Sequence, residues 1–144
     1  MTYASRADME ELWGVDFVAD LLPRDIADNP AATATAIANA LARAGEEINA
    51  HLSARYPLPL PSSPTILVSP CANIAVYILA NRHTALTPTI EDRYKHAVRL
   101  LERIAEGKAG LGADEPSVST DPDVSGSGAA FSANGRVFSR DTLP

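Results

Sequence analysis

Apolar residues recur along most of this chain with helical rather than alternating spacing. Ala7, Leu12 and Trp13 fall within a first predicted helix, capped by Ser5 with Asp8 three residues on and stopped by Gly14. A short second helix is predicted over residues 16 to 22, ahead of Pro23. The third is the clearest. Over residues 32 to 56 the larger apolar side chains fall at Ile37, Leu41, Ile48 and Leu52, with Ala34, Ala38, Ala44 and Gly45 filling the same predicted stripe.

The next stretch, PLPLPSSP over residues 57 to 64, holds four prolines. It is predicted to be an extended connector, because proline lacks the amide donor and pushes its predecessor out of the helical region. TILVSPCANIAVYILANR, residues 65 to 82, is apolar nearly all round, the pattern of a helix buried on most sides. Pro70 leaves two courses for it. The helix either kinks there or starts there, with Ser69 as cap and Pro70 at the first position. A last helix over residues 88 to 106 has Thr87 or Thr89 as cap and Gly107 as stop, and Ile90, Tyr94, Ala97, Val98, Leu101 and Ile104 form its apolar face. Glu91 with Lys95 and Arg99 with Glu102 are expected as pairs on the other face. The expected fold is therefore all-α, a small bundle of about four to five helices with short loops favouring antiparallel neighbours.

Composition changes the picture at the C-terminal end. Residues 113 to 130, ADEPSVSTDPDVSGSGAA, carry four acids and no base, and predict a flexible acidic linker that cannot bury enough surface to offset its ordering entropy. Residues 131 to 144 become apolar again, and Asn134-Gly135 between FSA and RVF is a hairpin signal. Three parts are thus expected: a helical domain over 1–112, a linker over 113–130 and an interaction segment over 131–144. Phe131, Arg136, Val137, Phe138, Arg140 and Leu143 are the candidate contact residues of that segment, with Tyr56, Leu58 and Leu60 of the proline-rich connector as a second group. Apolar side chains after an acidic tether need a covering partner. That partner is either a neighbouring subunit or the chain's own helices.

Charge and candidate chemistry narrow the function classes. The 144 residues have a formal net charge of −6, which disfavours nucleic-acid and anionic-membrane binding. A single cysteine excludes an intrachain disulfide, and no apolar run is long enough to span a membrane. A reducing compartment is expected. With 25 alanines and eight aromatic residues, the core is expected to be thin. His51, His83 and His96 lie in separate segments. Glu47 with His51 and Asp92 with His96 have i, i+4 spacing, but two ligands make a weak metal site. Cys71 has no basic neighbour in its helix and reads as a small hydrophobe. Gly126 and Gly128 follow no strand and form no phosphate loop. Arg99, Arg103 and Lys108 interleave with Glu102 and Glu106, as on a solvated face. No catalytic, cofactor or metal site is expected, and an enzyme is not.

Five pieces of the chain, in order, carry a resemblance: MTYASRADMEELWG, SARYPLPLP, SPTILVSPCANIAVYIL, EDRYKHAVRLLERIAEGKAGLG and GRVFSRDTL. Together they resemble the Mu-like phage and prophage head-to-tail connector family over essentially the whole chain. The resemblance implies a structural protein of the virion neck, a ring of commonly twelve subunits beneath the portal that presents a surface to the tail terminator or other tail proteins. It implies partners rather than substrates: the portal, tail proteins and further copies of itself. Genomic DNA is expected to pass through an acidic lumen without specific binding. A tail-side adaptor or tail-completion protein is the alternative of similar composition, to be separated by position in the virion. A DNA-packaging accessory factor would show nucleotide hydrolysis or salt-sensitive DNA binding.

Overall fold

The computed structural model describes residues 2–116, and within them every regular element is helical. Six α-helices follow in order: α1 Arg6–Trp13, α2 Val15–Asp20, α3 Arg24–Ala27, α4 Pro30–Leu52, α5 Val68–Arg82 and α6 Pro88–Ala105. Single 3₁₀ turns precede α5 at Thr65–Leu67 and close the described chain at Gly112–Asp114. The all-α class agrees with the sequence pattern, but the helix number exceeds the expected four to five. The extra helix is α3, a single turn whose cap position is Pro23. The hairpin expected around Asn134-Gly135 lies outside the described residues.

The order of burial explains the packing. α5 is the central element, with Pro70, Cys71, Ala72, Ile74, Ala75, Val76, Leu79 and Ala80 all buried, and it packs against α4, α6 and α1. This is the outcome its all-round apolar sequence predicts. Pro70 does not kink it. Nor does the helix start at Pro70 with Ser69 as cap: α5 starts at Val68 with Leu67 at the cap position, and Pro70 is third, still in the first turn, where backbone N–H groups have no intrahelical acceptor and a missing donor costs nothing.

α4 starts earlier than predicted and ends earlier. Asn29 caps it by accepting from the amides of Ala31 and Ala32, and Pro30 occupies the first position. Its buried stripe is Thr33, Ile37, Ala40, Leu41, Ala44, Gly45, Ile48 and Leu52. Ala34 and Ala38, assigned to the stripe from sequence, face solvent. Steps of three and four alternate in the true stripe, and the large-residue spacing alone did not choose between adjacent alanines. Buried Thr33 is satisfied because its hydroxyl donates to the carbonyl of Ile26 at 2.8 Å.

α1 differs in the same way. Its capping box between Ser5 and Asp8 forms as the sequence indicates, but its core residue is Met9 rather than Ala7 or Leu12, and Tyr3 and Ala4 bury just ahead of it. α6 buries Ile90, Ala97, Leu101 and Ile104, with Thr87 accepting from the Ile90 amide as cap. Gly107, at φ 76°, ends it as predicted. The Lys108 amide returns to the Arg103 carbonyl at 2.8 Å and the Gly107 amide to Ile104 at 3.0 Å, a Schellman closure that needs a residue tolerant of positive φ. Ion pairs among the described residues join Arg6 to Glu10, Arg55 to Glu115 and Lys108 to Glu106. The expected Glu91–Lys95 and Arg99–Glu102 pairs are not among them.

Candidate interaction surfaces

Three surface features stand out, each built by the way helix ends meet. The first is aromatic. Trp13 ends α1 and Phe17 lies on α2; Gly14 between them adopts φ 93°, a conformation side chains rarely take, and so turns the chain sharply enough to stack the two rings. Their centroids are 5.0 Å apart at 17°. From α6 the Arg93 guanidinium lies 4.1 Å from the Trp13 ring centroid, a cation over an electron-rich face. On the other side the Trp13 indole N–H donates to Asn73 Oδ1 of α5 at 3.0 Å. Leu12 and Val15 beside the stack are 40% and 60% exposed. A half-buried Trp locked by three elements, with an Arg and exposed apolar neighbours, has the composition of an interface anchor. In the sequence Leu12 and Trp13 stood out only as apolar residues of the first helix, and Phe17 did not stand out. The i, i+4 spacing of Trp13 and Phe17 was the available signal.

The second feature is an apolar groove where α2, α3 and the first turns of α4 converge, with a volume of about 210 Å³ and Val18, Leu22, Ala27 and Ile37 among its walls. The third is an anchor at the opposite end of α4. Arg55 reaches across to the end of α6 and donates to the carbonyls of Ile104 at 3.4 Å and Ala109 at 3.2 Å, a cation placed on the negative end of that helix. Glu115 pairs with the same guanidinium at 3.2 Å and accepts from the Tyr56 hydroxyl at 2.6 Å. Gly110 makes the space: a Cβ there would come within 2.5 Å of Glu115 Oε2. Glu115, expected within a solvated linker, is therefore docked at this end of the body.

The predicted contact residues divide accordingly. Tyr56 and Leu60 are 3% and 4% exposed and lie in the core of their own chain, while Leu58 between them is 36% exposed. The proline-rich connector folds back on the body because Tyr56 at its start and Leu60 within it bury their side chains there. Phe131, Arg136, Val137, Phe138, Arg140 and Leu143 lie outside the described residues.

Of the candidate chemical groups, Glu47 and Cys71 are engaged in the fold. The Glu47 carboxylate accepts from the Tyr94 hydroxyl at 2.9 Å, and the Tyr94 ring stacks on Tyr77 with centroids 4.0 Å apart. His96 lies in a shallow groove with Ile66, Asn73 and Leu100. His83 ends α5 with its buried Nε2 lacking a hydrogen-bond partner. Among the described residues no three His, Cys, Asp or Glu side chains gather as a metal site would require. Cys71 is fully buried, its Sγ 3.9 Å from the Leu41 carbonyl, and burial pushes its thiol pKa up. That is the setting of an inert packing residue.

Two phenols give the body an alkaline limit. Burial first, then the hydrogen bond to Glu115, pushes the pKa of Tyr56 up to about 12. Burial and then the bond to Glu47 push Tyr94 up to about 12 as well. The fold favours the neutral phenol, so this stabilisation is complete below the ordinary tyrosine value near about 10 and is lost as pH rises through about 12. Thermal unfolding followed by circular dichroism is expected to show a falling Tm across that window. Tyr56→Phe and Tyr94→Phe should each flatten the fall, and an unchanged slope in both would contradict it.

The fold and its surfaces define a small all-α protein whose polar side chains cap helices and fasten one element to another. The chain belongs to the family described as Bacteriophage Mu, Gp36, whose model matches residues 3–129. It is 31% identical over 106 residues to the Mu-like prophage FluMu protein gp36 of Haemophilus influenzae, covering 74% of this chain and 72% of that protein. It is thus a Mu-like phage protein. No helix among its described residues is long and apolar enough to cross a membrane.

Proposed function

We propose that this chain is a structural subunit of the virion neck, a head-tail connector without catalytic activity that assembles, twelve copies to a ring, between the portal and the tail terminator or other tail proteins. Membership of the Mu Gp36 family over most of the chain carries the reading. Two features of the chain support it. The Trp13 anchor and the groove between α2 and α4 offer lateral surfaces, and repetition around a ring lets individually weak contacts hold an assembly. The docked Glu115 fixes the point on the body from which residues 117 to 144 follow in sequence, with Phe131, Val137, Phe138 and Leu143 among them. The net charge of −6 also suits a lumen through which DNA slides, because a wall without excess cations releases few counterions from the duplex.

Deleting residues 130 to 144 from the phage-encoded chain tests the role directly. Filled heads accumulating without tails, seen by negative-stain microscopy, are expected. Normal yields of tailed, infectious particles would reject the C-terminal segment as a neck contact.

A further inference from the structure

The groove at the start of α4 has a shape, a floor and a rim that together specify what fills it. Its volume of about 210 Å³ is lined by Val18, Ala19, Leu22, Ala27 and Ile37. An apolar cavity of about 150 Å³ already accepts a benzene ring, so an aromatic side chain fits. Its polar wall atoms are already engaged: the Thr33 hydroxyl donates to the Ile26 carbonyl, and Arg6 at the edge is paired with Glu10 at 2.6 Å. Around it, residues 6 to 28 carry seven acids against two bases. Asp16, Asp20, Asp25 and Asp28, on or beside α2 and α3, are exposed. The groove therefore suits an aromatic group flanked by cations.

One segment of this chain has that character. Arg136-Val137-Phe138-Ser139-Arg140 places an apolar pair between two arginines, whereas the linker before it, residues 113 to 130, is acidic and would be repelled by the same rim. Its supply point is known, because Glu115 is held at the far end of α4 by Arg55 and Tyr56. From Leu52 back to Thr33 α4 rises roughly 28 Å. The 22 residues from Pro116 to Phe138 span at most about 75 Å. That reach covers the groove of an adjacent copy as well as the chain's own, and the tagged-chain experiment below separates the two. A donor at one end of a body and an acceptor at the other make a head-to-tail contact, and such contacts close rings when the rotation between copies allows.

We infer that the groove walled by α2, α3 and the start of α4 is the docking site for the Phe138 segment, residues 136 to 140, of a neighbouring copy of this chain. The inference concerns the contact between copies and holds wherever in the particle they sit. Differently tagged full-length chains test it, one carrying Ala27→Cys at the groove wall and the other Ser139→Cys beside Phe138, mixed and treated with a short bis-maleimide. A mixed-tag dimer is the expected product. Adding Phe138→Asp to the second chain should lower its yield by about tenfold or more, the loss expected when an aromatic anchor becomes a charge facing acids. Three outcomes would overturn the inference. They are no cross-link, a mixed dimer indifferent to Phe138→Asp, or a chain carrying both cysteines that closes on itself at high dilution in place of forming mixed dimers. Because the readout is a bond between purified chains, it fails or succeeds independently of whether the protein is found at the neck.

Discussion

Ile74→Ala is expected to lower the unfolding free energy by about 2–5 kcal/mol, the range for truncating a fully buried aliphatic side chain and leaving its cavity. Ile74 has no exposed surface and lies on α5, the helix packed against α4, α6 and α1. The upper half of that range is expected for two reasons. The surrounding positions of α5 are held by Cys71, Ala72 and Ala75, whose short side chains cannot swing in to fill the void. The backbones they bring close are fixed by helix geometry, so the cavity collapses little. Against a total stability of roughly 5–15 kcal/mol, one such loss is large. Urea unfolding should show a lower midpoint with an unchanged slope. A loss below about 1 kcal/mol would mean that α5 is not the centre of the core.

Arg55→Ala ranks second, at about 1–3 kcal/mol. It removes two hydrogen bonds onto the end of α6 and the partner of Glu115, and it uncovers the Tyr56 ring, over which the guanidinium sits at 5.1 Å from the centroid. The side chain is 26% exposed, so solvent screens the ionic part and keeps the value from the top of the range. Arg55→Lys separates the contributions. Lysine restores the charge but not the planar fork that serves two carbonyls and a carboxylate at once, so it should recover less than half of the loss. The same pair of variants reports on the anchor. Limited proteolysis within residues 117 to 130 should become faster in Arg55→Ala, with cleavage extending toward residue 109. An unchanged cleavage pattern would mean that Glu115 does not fasten the chain to the body.

These two sites also mark what periodicity conveys and what it leaves open. α5 was recognisable as the buried helix from its unbroken apolar run, and the end of α6 from Gly107, because both depend on properties of the local sequence alone. The stripe of α4 was placed correctly at its large residues and at Ala44 and Gly45, and wrongly at Ala34 and Ala38: Ala34 and Ala40 are chemically identical, and only the position of α5 decides which is covered. α3 escaped detection because a four-residue turn is too short to show a period, and Asn29-Pro30, its boundary with α4, is as much a turn signal as a cap. The connector was correctly predicted to be free of helix, but the chain bends through it rather than running extended. Its exposure was not predictable, since proline content fixes backbone course and says nothing of which way Tyr56 and Leu60 face.

The interaction surfaces depended still more on tertiary placement. Glu115 looked like one more acid in an acidic linker until Arg55, 60 positions earlier, was brought beside it. Trp13 stood out in the sequence only as an apolar residue of the first helix. Its role as a surface anchor follows from Arg93 and Asn73, which arrive from two other helices. Charge was informative at the scale of segments: the acids of residues 6 to 28 and the arginines of residues 136 to 140 are plain in the sequence. Their complementarity acquires meaning only with the apolar groove between them.

The most direct measurement is a cryo-electron microscopy map of the particle neck at a resolution that shows side chains. The proposal predicts a closed ring of this chain between portal and tail, with α4 of adjacent copies related head to tail and Phe138 of each in the groove of its neighbour. Tailed particles whose neck contains no copy of the chain, or a chain located instead along the tail or at its tip, would contradict it.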